Sequence, residues 1–415
     1  MKDPILSFLL ITVLLFIPLV SCEKDIPEDI PGDPVPIELN ATELSLSESS
    51  NDFSFDIFRL LMNRKSEVGN IMISPLSISY ALSMTLNGAN GETRSSMMEA
   101  LRTTDLSMDE INESYLNLSE KITGIDKRVV LDIANSVWVE DRLNVKQEFI
   151  NALVEYFKAE GKQFNINDPD IVDEVNSWIS DHTNGKIDDM IEEIPADVVM
   201  LLINAIYFNG KWKYKFDESQ TSLKPFYLAG DQSVDVDMMV NESTYKVAFE
   251  NKLSFIELPY GQGNFVMDVI LPAEGYTAES ILEELSSENF NNWANNANAL
   301  KVNLQMPRFK YEYKIELKDV LSAMGMGIAF GAEADFSNIS DQDLFISKVL
   351  HQTYIDNKEE GTEAAAATVV MIELTSAGPD DPLVIKLDKP FYYIIRESTT
   401  NTIIFMGLTA NPAAS

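Results

Sequence analysis

Residues 359–376 read EEGTEAAAATVVMIELTS, and no single secondary structure suits them. Ala364, Ala365, Ala366 and Ala367 belong to the best helix-forming residue type. The run TVVMI that follows, residues 368–372, is β-branched and apolar and favours a strand. No proline interrupts residues 359–378, so every backbone N–H stays available to a ladder. A strand places alternate side chains on opposite faces. One set is then Thr362, Ala364, Ala366, Thr368, Val370 and Ile372, small or apolar throughout and suited to a buried face. The other is Glu363, Ala365, Ala367, Val369, Met371 and Glu373, which carries both glutamates and suits the outside. The stretch reads as a loop that is also competent as a strand; a helix or loop that never pairs is the alternative.

Outward from this stretch the chain reads as α+β. LFISKVLHQTYIDNKEE (344–360) leads into it as a long strand, and DPLVIKLDKPFYYIIRESTTNTIIFMGLTANP (381–412) follows as two strands around the polar turn RESTTN. NDFSFDIFRLLMNRK, from Asn51, has apolar residues at 53, 57, 58, 61 and 62, a helical face. A second helix, around Ile78 to Leu86, is rich in small residues and ends at Gly88. VVLDIANSVWVE (129–140) alternates as a strand, and residues 168–187 form an amphipathic helix closed by Asn184-Gly185. Val198 to Ile203 is continuously apolar, as in a central strand covered on both faces. Helices also suit residues 278–296 and the end of 299–325, and several strand-like segments fill 220–270. With helices dominating the first third, strands the rest, no repeat and no linker-like break, the expectation is one domain.

Composition narrows the chemistry. The 415 residues carry 66 acidic and 31 basic side chains, a formal charge of −35. Nucleic acid and anionic lipid surfaces call for basic stripes, so neither is an expected partner. Such charge favours solubility and keeps copies apart, so a monomer is expected. There is one cysteine, Cys22, and there are two histidines, His182 and His351. No Cys/His zinc cluster or intramolecular disulfide can be assembled from these, and a Ser-His-Asp triad would need one of the two histidines. The acidic groups at 168–174, 187–193 and 378–382 do not have calcium-loop spacing. No cofactor or metal is implied, and the chain does not read as an enzyme.

The first residues, MKDPILSFLLITVLLFIPLVSC, read as a secretion signal over 1–21, with an apolar run too short for a comfortable membrane span. The run ends in Leu19-Val20-Ser21-Cys22, which resembles the lipobox of bacterial lipoproteins. That likeness implies acylation of Cys22 and an anchor in a bacterial outer membrane or cell surface. An ordinary cleaved signal with an incidental cysteine is the alternative. Residues 22–48, rich in Pro, Asp, Glu and Ser, read as a flexible tether, with the folded domain over 49–415.

Six segments together resemble the serpin family of serine protease inhibitors. They are ISPLSISYALSMTLNGANGET (73–93), VNSWISDHTNGKI (175–187), LLINAIYFNGKW (201–212), EEGTEAAAAT (359–368), DKPFYYIIRE (388–397) and FMGLTANP (405–412). The resemblance implies a serpin fold of three β-sheets and eight or nine helices, with an exposed reactive-centre loop over about 359–382. It implies a hinge at Glu359, Glu360, Gly361, Thr362, Glu363, Ala364, Ala365, Ala366 and Ala367. A bait bond follows at Thr375–Ser376, with Leu374 as the alternative to Thr375. In inhibitory members a serine protease cuts that bond, and the acyl-enzyme is trapped when the cut loop inserts into the main sheet. The resemblance further places Ser74, Ser77, Asn204 and His351 under the centre of that sheet. It places Trp212, Arg308 and Glu359 where insertion begins, with Arg308–Glu359 as an ion pair. The target implied is a secreted elastase-like or subtilisin-like serine protease. A non-inhibitory binding module and an inhibitor of papain-like cysteine proteases are the alternatives.

Overall fold

The computed structural model describes residues 32–64, 69–230, 232–362 and 381–414. Its α-helices are α1 (Ala41–Arg64), α2 (Pro75–Leu86), α3 (Gly91–Ala100), α4 (Met108–Ile122), α5 (Gln147–Phe157), α6 (Ile171–His182), α7 (Ser287–Asn296) and α8 (Lys318–Ala323). Its strands are β1 (Ile71–Ile73), β2 (Val129–Glu140), β3 (Glu160–Phe164), β4 (Met200–Lys211), β5 (Ser222–Tyr227), β6 (Ser233–Phe249), β7 (Leu253–Pro259), β8 (Phe265–Pro272), β9 (Asn298–Pro307), β10 (Phe309–Glu316), β11 (Leu350–Lys358), β12 (Gly361–Thr362), β13 (Leu383–Lys386), β14 (Phe391–Glu397) and β15 (Ile403–Thr409).

Among the described residues the strands join into two sheets where three are expected. The first has the order β10-β11-β12-β4-β2-β3, and the second runs β1-β15-β14-β8-β7-β6-β9-β13 with β5 beside β6. The 17-residue β6 pairs with β5, β7 and β9 in turn and so makes one ladder of two smaller sheets. The six-stranded sheet has a different cover on each face. On β4, Ile203 and Ala205 join Trp138, Val175 and Ile179 in an apolar cluster under α6. Phe208, of the opposite parity, joins the main core, where α2 packs against β4 and β15. In β14 and β15 every residue is buried, so these strands form the floor on which the first sheet rests.

Three boundaries differ from expectation for physical reasons. α1 starts at Ala41, well before Asn51, so the tether read over 22–48 runs too far. Asn40 caps the helix, taking N–H bonds from Thr42 and Glu43 at 2.9 and 3.0 Å while Glu43 Oε2 accepts from Asn40 N at 2.9 Å. The serines that look solvated there are small core residues: Ser47 is buried with its Oγ 3.1 Å from Thr402 Oγ1. The segment before the helix is also bonded down, Val35 N donating to Asn264 Oδ1 at 2.8 Å and Ile37 N to Thr399 Oγ1 at 3.1 Å. Next, the strand expected over 344–360 is confined to β11, because Ile346 N donates to Ala329 O at 2.9 Å and not to a ladder. Lastly, Met200, Leu201 and Leu202 are only half-buried. The apolar run at the start of β4 borders a cavity of about 320 Å³ reaching from α2 to Phe345 and Val349, and is not covered on both faces.

Candidate functional site

β12 decides how the six-stranded sheet works. The chain climbs β11, turns at Glu359–Glu360 and comes back down as Gly361–Thr362. Those two residues pair antiparallel with β11 on one side (Thr362 opposite Asn357) and with β4 on the other (Thr362 opposite Gly210). Below them, among the described residues, β4 and β11 share no ladder. Among the described residues the sheet therefore holds a slot one strand wide, its top occupied by Gly361 and Thr362 of the segment read as a loop-or-strand. Gly361 is required at the turn: its φ is +155°, and a Cβ there would stand 2.1 Å from Gly210 O.

The top of the slot is held by a dense set of bonds. Trp212, fully buried, donates from its backbone N to Glu360 O at 2.8 Å and from Nε1 to Lys358 O at 3.0 Å. Its ring stacks on Tyr260 at 4.2 Å, and the Tyr260 hydroxyl lies 2.6 Å from Thr362 Oγ1. Thr362 is 4% exposed and so faces the core, as the alternation of residues 362–372 requires. Arg308 clamps the buried Glu359 carboxylate through Nε at 2.8 Å and Nη2 at 2.6 Å, and Thr221 Oγ1 adds a bond at 2.5 Å. Burial pushes Glu359 up, but the Arg308 and Thr221 bonds outweigh it and hold the carboxyl below the usual range. Neither Tyr260 nor Thr221 is marked by the sequence, since each meets the hinge only through the fold.

Halfway down the slot a continuous hydrogen-bond chain joins the two strands that do not pair. His351 of β11 accepts from Ser74 N at 2.9 Å through Nε2; Ser74 Oγ donates to Ile404 O at 2.8 Å and accepts from Ser77 N at 3.2 Å. Ser77 Oγ donates to Asn204 Oδ1 of β4. Asn204 Nδ2 donates to Asn135 Oδ1 of β2 at 2.7 Å, and Asn135 Nδ2 to Phe157 O at 2.7 Å. Ser74 is also the N-cap of α2, ahead of Pro75, so the helix terminus underlies both strands. Ser74, Ser77, Asn204 and His351 thus form one network, while Trp212, Arg308, Glu359, Glu360, Gly361 and Thr362 form another above it. Asn135 is an addition, detectable as an amide on an otherwise apolar alternating strand. His182 stands apart, stacked on Trp178 at 4.2 Å. Glu363, Ala364, Ala365, Ala366, Ala367, Leu374, Thr375, Ser376 and Cys22 lie outside the described residues.

His351 makes the network sensitive to acid. Burial pushes its imidazole down to about 4, which leaves Nε2 free to accept from Ser74 N–H. The unfolded chain takes up the proton first, near pH 6.5. Stability from this group is therefore complete above about pH 6.5 and is lost as pH falls toward 4, by about 3 kcal/mol at most. The fall in thermal midpoint between pH 7 and pH 4.5 should accordingly be smaller by several degrees in His351→Gln than in the native sequence. An equal fall would remove His351 from the account.

Known proteins with this arrangement are numerous. The family model "Serpin (serine protease inhibitor)" matches residues 48–412. Leukocyte elastase inhibitor of Bos taurus is 33% identical over 380 residues, covering 88% of this chain and 99% of its own. An uncharacterized serpin-like protein of Methanosarcina acetivorans is 33% identical over 387 residues, 90% of this chain and 89% of its own. Among solved structures, the thermophilic serpin tengpin in its native state superposes with a TM-score of 0.81 at 31% identity, covering 92% of this chain and 97% of its own. With β12 paired between β11 and β4 in the six-stranded sheet and a family match over residues 48–412, the chain belongs to the serpin family.

Proposed function

We propose that this chain irreversibly inhibits secreted serine proteases of elastase-like or subtilisin-like preference, trapping the acyl-enzyme by inserting its cut loop between β4 and β11. The observation that carries this reading is β12: Gly361 and Thr362 are antiparallel to both neighbours, the orientation an inserted strand must have. Each further residue would step one place down β4 and one back along β11. In that register Thr368 comes opposite Asn204 and His351, so a core-facing threonine meets the polar network, with Ala366 before it and Val370 after it on the same face. The small side chains of residues 364–367 let the strands part with little steric resistance.

The bait bond is Thr375–Ser376, with cleavage after Leu374 as the neighbouring choice. Leukocyte elastase inhibitor, by its name an inhibitor of elastase, supports the elastase-like preference, as does the small β-branched Thr375. Incubation with an elastase should give a complex that survives boiling in denaturant at the summed mass of the two chains. Intact protease with a merely cleaved chain would overturn the reading. The first residues support a further part of the proposal, that the protein is exported and held through acylated Cys22 on a bacterial surface, which radiolabelled-palmitate incorporation and its loss in Cys22→Ser would test.

A further inference from the structure

A protease gripping the loop must also rest on something beside it. β5 lies between the two feet of the loop. At its upstream end Thr221 bonds Glu359, and Leu223 shares a recess with Glu359 and Glu360. At its downstream end Tyr227 N donates to Asp388 O at 2.7 Å, just past β13, where the chain re-enters the fold. The strand is about 17 Å long at ~3.3 Å per residue. A protease–inhibitor contact covers about 800 Å² on each partner, a disc roughly 30 Å across. A protease held by both feet therefore covers β5.

The face of β5 is built unusually for solvent. Leu223 is 70% and Tyr227 53% exposed, and exposed Pro225 lies between them on the same side. Each stands directly opposite a polar residue of β6: Leu223 opposite Asp237, Pro225 opposite Asp235, Tyr227 opposite Ser233. Opposed residues share a face, so an apolar stripe runs alongside an acidic one. Lys224 turns to the other side, to Gln305 Oε1 at 3.0 Å. Two nearby cations already have carboxylates, Arg308 those of Glu359 at 2.6 Å and Asp237 at 3.6 Å and Lys358 that of Asp356 at 3.7 Å, while Lys310 stands over the Tyr354 ring. The exposed carboxylates of Asp235 and Glu218 leave the rim negative.

We infer that the β5–β6 face is a second docking surface for the protease bound to the loop, and that this protease carries a lysine or arginine patch next to an apolar side chain beside its cleft. The inference rests on the inhibitory reading above. Its consequences fall on encounter and not on trapping. Opposite charges at a rim raise the association rate and make it salt-dependent, whereas trapping depends on the slot.

Stopped-flow competition with a cationic and an anionic elastase tests it. For the cationic enzyme, Leu223→Ser with Tyr227→Ser should slow association about tenfold. Asp235→Lys should slow it severalfold and flatten its salt dependence. The number of inhibitor molecules consumed per protease should not change in either variant. The midpoint rise on loop cleavage serves as the control for folding. Association within twofold of the native sequence for both variants would overturn the docking surface, as would equal slowing of the anionic enzyme by Asp235→Lys. Absence of a stable complex with the native sequence would instead overturn the inhibitory reading, and the docking surface with it.

Discussion

Cutting the chain once between Thr368 and Ser376 is expected to raise the thermal midpoint by roughly 10 °C or more. At about 2.1 cal/mol/K per residue, a domain of this size gains on the order of 1 °C per kcal/mol. The gain comes from the slot. Among the described residues β4 and β11 have no ladder between them below β12, so an inserted strand completes bonds on both its edges, each worth about 1 kcal/mol net. Val370 and Ile372 add apolar burial on the core face. Ordering the inserted backbone costs about 1–2 kcal/mol per residue and offsets part of this. Before the cut, the chain cannot reach the bottom of the slot without dragging its downstream foot, since Leu383–Lys386 is fixed as β13 against β9. On the inhibitory reading the uncut form is therefore held by a barrier, and its midpoint is kinetic in origin. Calorimetry before and after limited proteolysis checks this, with mass spectrometry to locate the cut. Coincident melting of the two forms would mean that nothing inserts.

How far the sequence discloses this machine depends on the range of the interactions. The alternation of residues 362–372 is local, and the one core-facing member among the described residues, Thr362, has the orientation that alternation demands. The same holds for α2, whose Ser74-Pro75 start and small-residue face can be read along the chain. Partners brought together by topology are another matter. Tyr260 reaches Thr362 across about a hundred positions, and Asn135 reaches Asn204 across 69. Periodicity does not connect such pairs. The tether reads too long for a different reason. Ser47 looks like a tether residue by composition, but its smallness lets α1 pack closely on the β15 side of the core. Polarity suggests solvent exposure; here size was the property that mattered. The apolar opening of β4 illustrates the converse: Met200 to Leu202 are apolar yet only half-buried, because they border a cavity and not a second covering layer.

Replacing Thr362 by Arg is the substitution expected to change behaviour most while leaving the folded state intact. The side chain sits at the throat of the slot, 4% exposed, with Oγ1 against the Tyr260 hydroxyl and Trp212 stacked behind that ring. In the uncut protein a guanidinium can avoid this site if residues 361–362 withdraw from between β4 and β11. Insertion removes that escape. The arginine must then enter among Tyr260, Trp212 and Phe208, where burial of an unpaired charge costs several kcal/mol. A delay of a few kcal/mol slows insertion by two or more orders of magnitude, at 1.4 kcal/mol per factor of ten, which gives the acyl-enzyme time to hydrolyse. Thr362→Arg should therefore be cleaved at Thr375–Ser376 at the native rate, yet leave the protease active, with complex yield falling more than tenfold. Thr362→Ser, which keeps the hydroxyl beside Tyr260, should retain most of the inhibition. If the arginine variant traps protease as well as the native sequence does, the throat defined by β12 is not the route of insertion.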